Sequence, residues 1–258
     1  MLIRQPSTFY LALSALLALA PASAAQGADA EQPTAEALVS RMDDLYDSSG
    51  TVAEVEVEIV EPDKTRIMKL RMWSRGEDES LAVVLEPSRD EGTATLRIDR
   101  NIWNYLPKIS RTIRVPPSMM MGSWMGTDLT YDDLVKESSF VDDYTHELVG
   151  RSDDPPGWLV RMTARPGTAG LWSRIDVVFT DQHRLPAVAL YYDRRDELAR
   201  TMRFEDVRTM DGRLVPTRLV VVPEDEKGER TVFRYNDIRW NAELDDDLFS
   251  LRRLERRS

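Results

Sequence analysis

The residues able to do chemistry are few and poorly spaced for it. The chain has two histidines, His146 and His183, and no cysteine. Neither histidine lies in an H-x-x-x-H or H-E-x-x-H spacing, which would turn two imidazoles to one helical face toward a zinc ion. Without cysteine there is no thiol nucleophile, thiolate metal site or disulfide. A serine triad assembles from distant positions, but no G-x-S-x-G elbow marks its nucleophile. Asp132-Asp133, Asp142-Asp143, Asp153-Asp154 and Asp245-Asp246-Asp247 send neighbouring carboxylates in different directions. They suit solvated turns and helix starts better than a paired acid and base. No D-x-D-x-D-G calcium loop or glycine-rich phosphate loop occurs. The chain reads as a non-enzyme that uses no metal and no cofactor.

One segment stands apart. Residues 116–128, Pro-Pro-Ser-Met-Met-Met-Gly-Ser-Trp-Met-Gly-Thr-Asp, hold four of the eleven methionines, together with Trp124, Gly122 and Gly126. Methionine is flexible and polarisable, and methionine-rich surfaces recur where a protein accepts varied apolar partners. A core-filling helix is the alternative. The following run, residues 128–136, reads as a short helix.

The elements that must position this segment are mostly strands. A helix is expected first, over 34–49, with Leu38, Met42, Leu45 and Tyr46 on one face, Thr34 as N-cap and Gly50 as its stop. From Thr51 the period changes to two, and Glu54-Val55-Glu56-Val57-Glu58-Ile59 alternates as a strand with one wet face. Short strands are predicted over 66–75, 80–86, 93–99, 102–106 and 111–115, then over 147–151, 158–165, 173–180, 186–193, 199–210, 213–222 and 230–240. Asp211-Gly212 is the strongest hairpin signal among them. The tail, 245–258, offers Leu248, Phe249, Leu251 and Leu254 as apolar anchors. Strands such as Ile67–Trp73 and Leu81–Leu85 are apolar on both faces, as in a sheet curled around something with helices against its inner face. A plain sandwich core would give the same runs.

Compartment and partners follow from the ends and the charge. Arg4, the apolar run 9–20 and the small exit Ala22-Ser23-Ala24 make residues 1–24 a secretory signal, too short to be a membrane span. The expected product is one domain, 25–258, soluble in the periplasm. Without cysteine it has no site for N-terminal acylation. Its 45 acidic and 34 basic residues give a formal charge of −11, which repels nucleic acid.

The run Ile102-Trp103-Asn104-Tyr105-Leu106-Pro107-Lys108-Ile109-Ser110-Arg111-Thr112-Ile113-Arg114, followed by 119–134 and the ending Asp247–Leu254, resembles the LolA-like outer membrane lipoprotein-sorting protein family. The resemblance implies a mostly β fold with some α: a curved antiparallel half-barrel, an incomplete β-barrel, with helices as a lid on the concave face over an apolar cavity. It implies a periplasmic carrier of lipid or lipoprotein acyl chains toward the outer membrane. An inner-membrane transporter of the resistance-nodulation-division (RND) type is the implied partner, with transient membrane contact. A non-carrying adaptor of an envelope transporter, or a hydrolase using one of the histidines, is the alternative. On the carrier reading Met119, Met120, Met121, Trp124 and Met125 line the cavity, and Leu70, Met72 and Trp103 form its floor.

Overall fold

In a computed structural model of the chain, residues 32–136, 140–168, 170 and 172–255 are described. The predicted export signal, 1–24, lies outside them.

The period-two pattern becomes thirteen strands. The first six are β1 (Thr51–Glu61), β2 (Lys64–Arg75), β3 (Glu79–Glu86), β4 (Ala94–Ile98), β5 (Asn101–Leu106) and β6 (Arg111–Arg114). The other seven are β7 (Tyr144–Asp153), β8 (Pro156–Ala164), β9 (Arg174–Thr180), β10 (Pro186–Tyr192), β11 (Leu198–Met210), β12 (Arg213–Pro223) and β13 (Arg230–Arg239). They form a single antiparallel sheet in the order β6-β5-β4-β3-β2-β1-β13-β12-β11-β10-β9-β8-β7. Two meanders are thus joined back to back through β1 and β13. Register shifts at Glu54/Val55, Lys69/Leu70 and Leu148/Gly150 add local twist. The result is a curved half-barrel that does not close, with β6 and β7 as its edges.

That topology decides where the methionine-rich segment goes. Residues 115–143 are the chain between the two edge strands, so they must travel from one edge of the half-barrel to the other. They carry α2 (Tyr131–Lys136) and α3 (Phe140–Asp143).

The larger apolar cluster covers one face of the sheet, here called inner. Val55, Val57, Met68, Leu70, Val160, Met162, Val177, Phe179 and Met202 supply it from the strands. Leu38, Val39 and Met42 of α1 (Ala35–Asp43), with Trp124, Leu129 and Phe140, complete it. A smaller cluster lies on the outer face, where Leu81, Val83, Leu96 and Tyr105 meet Leu248, Phe249 and Leu254 of the tail. This explains the strand that is apolar throughout: Ala82 and Val84 face the inner cluster, Leu81 and Val83 the outer. The carboxylates that alternate along β1 lie across from arginines, Glu54 with Arg71 and Glu58 with Arg234.

Three local expectations change. The first helix ends at Asp43, not Ser49, and Thr34 caps it by accepting from the Ala37 amide at 3.2 Å. Leu45 and Tyr46 belong to the turn that follows. There Tyr46 stacks on Tyr235 with centroids 5.0 Å apart and donates to the Pro216 carbonyl at 2.6 Å. Gly50 does not stop the helix; a Cβ there would sit 2.2 Å from the Ala242 carbonyl oxygen, so only glycine fits. In the tail, α4 (Leu251–Glu255) is anchored by Leu254, while Leu251 is exposed. Asp211-Gly212 does form the two-residue hairpin turn, with φ of 44° and 82°, between the paired residues Met210 and Arg213. Among the described residues no helix is long and apolar enough to cross a membrane.

Candidate ligand-binding site

Met68, Leu70 and Met72 point from β2 to the inner face in one row, as period two requires. The row ends in two different cavities. At the Met72 end lies a cavity of about 240 Å³. It is lined by Met42, Leu45 and Tyr46 of α1 and its turn, Leu134 of α2, Phe140 of α3, and Met72, Met202, Phe204 and Leu219 of the sheet. A neighbouring space of about 100 Å³ shares Tyr46, Met72 and Tyr235 and reaches Trp240. At the Met68 end lies a cavity of about 410 Å³, with Met68, Val84, Leu106, Ile109 and Met125 among its walls and Arg66, Arg89 and Lys108 at its rim.

Between the cavities the connection is fastened to the sheet by an ion pair that water does not reach. Arg200 of β11 and Asp133 of α2 are 4% and 5% exposed, and join through two bonds of 2.7 and 2.9 Å. The Thr130 amide and hydroxyl also donate to Asp133, and the Asp133 amide returns a bond to the Thr130 hydroxyl. That reciprocal pair is a capping box at the start of α2. Burial opposes the charge on Asp133, but Arg200 and the Thr130 donors outweigh it and hold the carboxyl below the usual carboxylate range. The guanidinium of Arg200 lies over the rings of Trp172 and Tyr191, at 4.5 and 4.3 Å. Beside this, Thr231 of β13 donates to Asp128 at 2.7 Å.

A second fastening closes the other end. Arg66 Nη2 donates to the Met125 carbonyl at 2.6 Å. Gly126 follows with φ +77°, and a Cβ there would lie 2.6 Å from the same nitrogen. The left-handed backbone favours glycine there, and any side chain would also push the flexible end of Arg66 aside. Trp124, 2% exposed, is held between these points by its Nε1 bond to the Thr95 hydroxyl (3.0 Å) and by stacking on Phe233.

The joint between α1 and α3 is chemically different. Asp43, the last residue of α1, accepts from the Val141 amide at 3.0 Å. Its buried Oδ1 takes no hydrogen bond among the described residues. Burial pushes this carboxyl up to about 7; the Val141 bond opposes the shift, and the Glu77 and Asp44 charges add to it. Asp47 and Glu77, on the same rim, are also shifted upward, chiefly by burial.

The eight residues expected to line one cavity are distributed. Met72 lines the aromatic cavity and Met125 the basic-rimmed one. Leu70 and Trp124 are core residues between them. Met120 and Met121 border an open groove of about 660 Å³ with Val115, Pro117 and Arg194, and Met119 is 59% exposed. Trp103 is on the outer face, packed on the smaller cluster, because it pairs with Leu96 on the side covered by the tail. The sequence reading missed Arg200, Asp133, Arg66 and Asp43. Arg200 left a signal: it shares inward parity with Met202 and Phe204, so an inward charge had to find a partner.

A family model described as "Uncharacterized protein" matches residues 76–256, a span that holds the eleven strands β3–β13.

 The chain belongs to this family. A DUF1329 family protein from Desulfovibrio piger is similar to it in structure, with 26% identity and a TM-score of 0.78, over 85% of this chain and 97% of that one. A LolA superfamily protein from Nitrosomonas europaea matches with 21% identity and a TM-score of 0.72, over 86% of this chain and 100% of that one. A putative outer membrane lipoprotein-sorting protein domain from Vibrio parahaemolyticus matches with 20% identity and a TM-score of 0.73, over the same shares, 86% and 100%. The fold is therefore LolA-like. No curated protein matches the chain.

Proposed function

We propose that the protein is a periplasmic carrier that shelters lipid or lipoprotein acyl chains on the inner face of its half-barrel, after removal of residues 1–24. The observation that carries this reading is the aromatic and methionine-lined cavity between α1, α2, α3 and the sheet. The LolA-like fold supports it. At about 240 Å³ the cavity falls below the roughly 300–1,000 Å³ of small-molecule sites, so a whole acyl chain enters only when a covering element moves. Each methylene buried returns about 0.8 kcal/mol, enough over a chain to offset that movement.

The element that moves is the α1–α3 pair. The connection at α2 is tied by the Arg200–Asp133 pair, whereas α3 meets α1 through the Asp43–Val141 bond and apolar packing. The exposed Met119 and Met121 suit transient contact with a membrane or with an inner-membrane RND-type transporter that delivers the chain. The test is lipid extraction of protein purified from its native periplasm, followed by mass spectrometry. A carrier returns acyl lipid in stoichiometric amount; protein that binds a transporter tightly yet returns no lipid is the adaptor instead.

A further inference from the structure

The basic-rimmed cavity at the Met68 end differs from the aromatic one in size and in charge. Its volume, about 410 Å³, already lies within the range of small-molecule sites. Its floor is the inner face of the sheet, Met68 and Val84, both 2% exposed or less, and Met125 closes it from the connection. Three cations line it, Arg66, Arg89 and Lys108, against one carboxylate, Asp90, which Arg89 Nε already holds at 3.0 Å. Arg66 gives one of its five N–H donors to a neutral carbonyl, that of Met125.

This positive rim runs against the composition of the chain. The formal charge is −11, yet residues 100–127 carry Arg100, Lys108, Arg111 and Arg114 and no Asp or Glu; Lys108 lines this cavity, while Arg100 and Arg114 border the open groove beside Met120 and Met121. A solvated surface of an acidic protein has no need of such an inversion next to a buried apolar floor. An apolar floor under a cationic rim matches one chemistry, an acyl chain that ends in an anion.

We infer that this cavity binds an anionic amphiphile, with its acyl chain on Met68, Val84 and Met125 and its carboxylate or phosphate head among Arg66, Arg89 and Lys108. The inference rests on the carrier reading for the acyl chain and adds to it a second site and a head-group charge. The head group reaches Arg89 and Lys108 from solvent, since both are exposed.

The test uses the full chain and four monomeric probes: dodecanoate, dodecyl phosphate, dodecyl maltoside and inorganic phosphate. Calorimetric titration should show both anionic amphiphiles binding at least about tenfold tighter than the maltoside, the ratio that one charge-assisted contact supplies. Preference between carboxylate and phosphate separates a fatty acid from a phospholipid head as the source. The variant Arg89→Glu with Lys108→Glu changes two exposed side chains, so the fold is kept. It should erase the preference and leave maltoside binding unchanged. Methyl NMR of the methionines places the ligand, because occupancy here moves Met68 and Met125 rather than Met42 and Met72.

Equal affinity for anionic and neutral amphiphiles, or a preference that survives the double charge reversal, overturns the inference while leaving the carrier reading intact. Binding of no amphiphile at all overturns both. Inorganic phosphate binding as tightly as dodecyl phosphate makes this a plain anion site. Binding only to anionic vesicles makes Ile109, Arg111 and Ile113 a membrane-docking edge instead. Either result contradicts the proposal.

Discussion

Residues 128–133 and residues 119–121 belong to the same connection between the two edges of the sheet, and the fold treats their side chains in opposite ways. Asp133 meets a buried arginine, Asp128 meets Thr231, and Leu129 joins the core. Met119 and Met121 stand 59% and 42% exposed, although the backbone beneath them is fixed by the Asp132 amide bond to the Met120 carbonyl at 2.8 Å. The chain spends its strongest polar contacts on holding the connection down and leaves a set of flexible apolar side chains in water above it. That division is costly for a protein with no partner, and it separates a fixed half from a half available for contact.

The largest effect is expected where the fixed half is cut. Arg200→Met leaves Asp133 buried without its counter-ion and should cost about 3–5 kcal/mol in urea unfolding. The double variant Arg200→Met with Asp133→Leu should recover much of that loss, because no charge is then stranded. Equal losses in the single and double variants would break the contrast between the two halves.

Gly126→Ala comes next. It forces an L side chain to φ +77° and sets a Cβ against Arg66 Nη2, at a cost of roughly 1–2 kcal/mol in thermal unfolding. Arg66→Ala in the same background should make the two losses less than additive.

The joint between α1 and α3 is expected to respond to pH. Asp43 has a folded-state pKa raised above its unfolded value, so the folded chain favours the protonated acid. Its stabilising contribution is complete below about pH 4 and is lost as pH rises through about 7. Stability should therefore fall across that window, with hydrogen exchange in α1 rising. Asp43→Asn should flatten the part of the slope that belongs to this group; Glu77 and Asp47, also shifted upward, retain theirs.

The smallest effect belongs to the exposed half. Met119→Ser with Met121→Ser should change stability by no more than about 0.5 kcal/mol, as surface substitutions do. On the carrier reading it should nonetheless slow acyl-probe transfer from vesicles. A large loss of stability would show these methionines to be structural.

Much of the fold was legible because a half-wet strand writes itself as alternation. All thirteen strands overlap the runs predicted as strands, and Asp211-Gly212 marks its hairpin for the backbone reason that both residues take positive φ. The end of α1 was not legible, since Leu45 and Tyr46 continue a helical spacing while serving as turn residues packed on β12 and β13. Trp103 shows a second limit. Strands apolar on both faces do not say which face is inner, and the tail that covers the outer one lies some 150 residues away in sequence. The methionines drew attention to the connection but did not show their own exposure. Asp43 left no trace, because its burial is made by α3 arriving from a distant part of the chain.

An acyl chain that enters under a moving α1–α3 pair carries α1 away from the sheet, and an interspin distance reads that displacement. The chain has no cysteine, so Arg41→Cys on α1 and Asp237→Cys on β13 give two unique spin-label sites, both exposed. Titration with a palmitoyl probe should shift the distance distribution to longer values in proportion to probe bound. Saturation with probe at an unchanged distance would contradict the account.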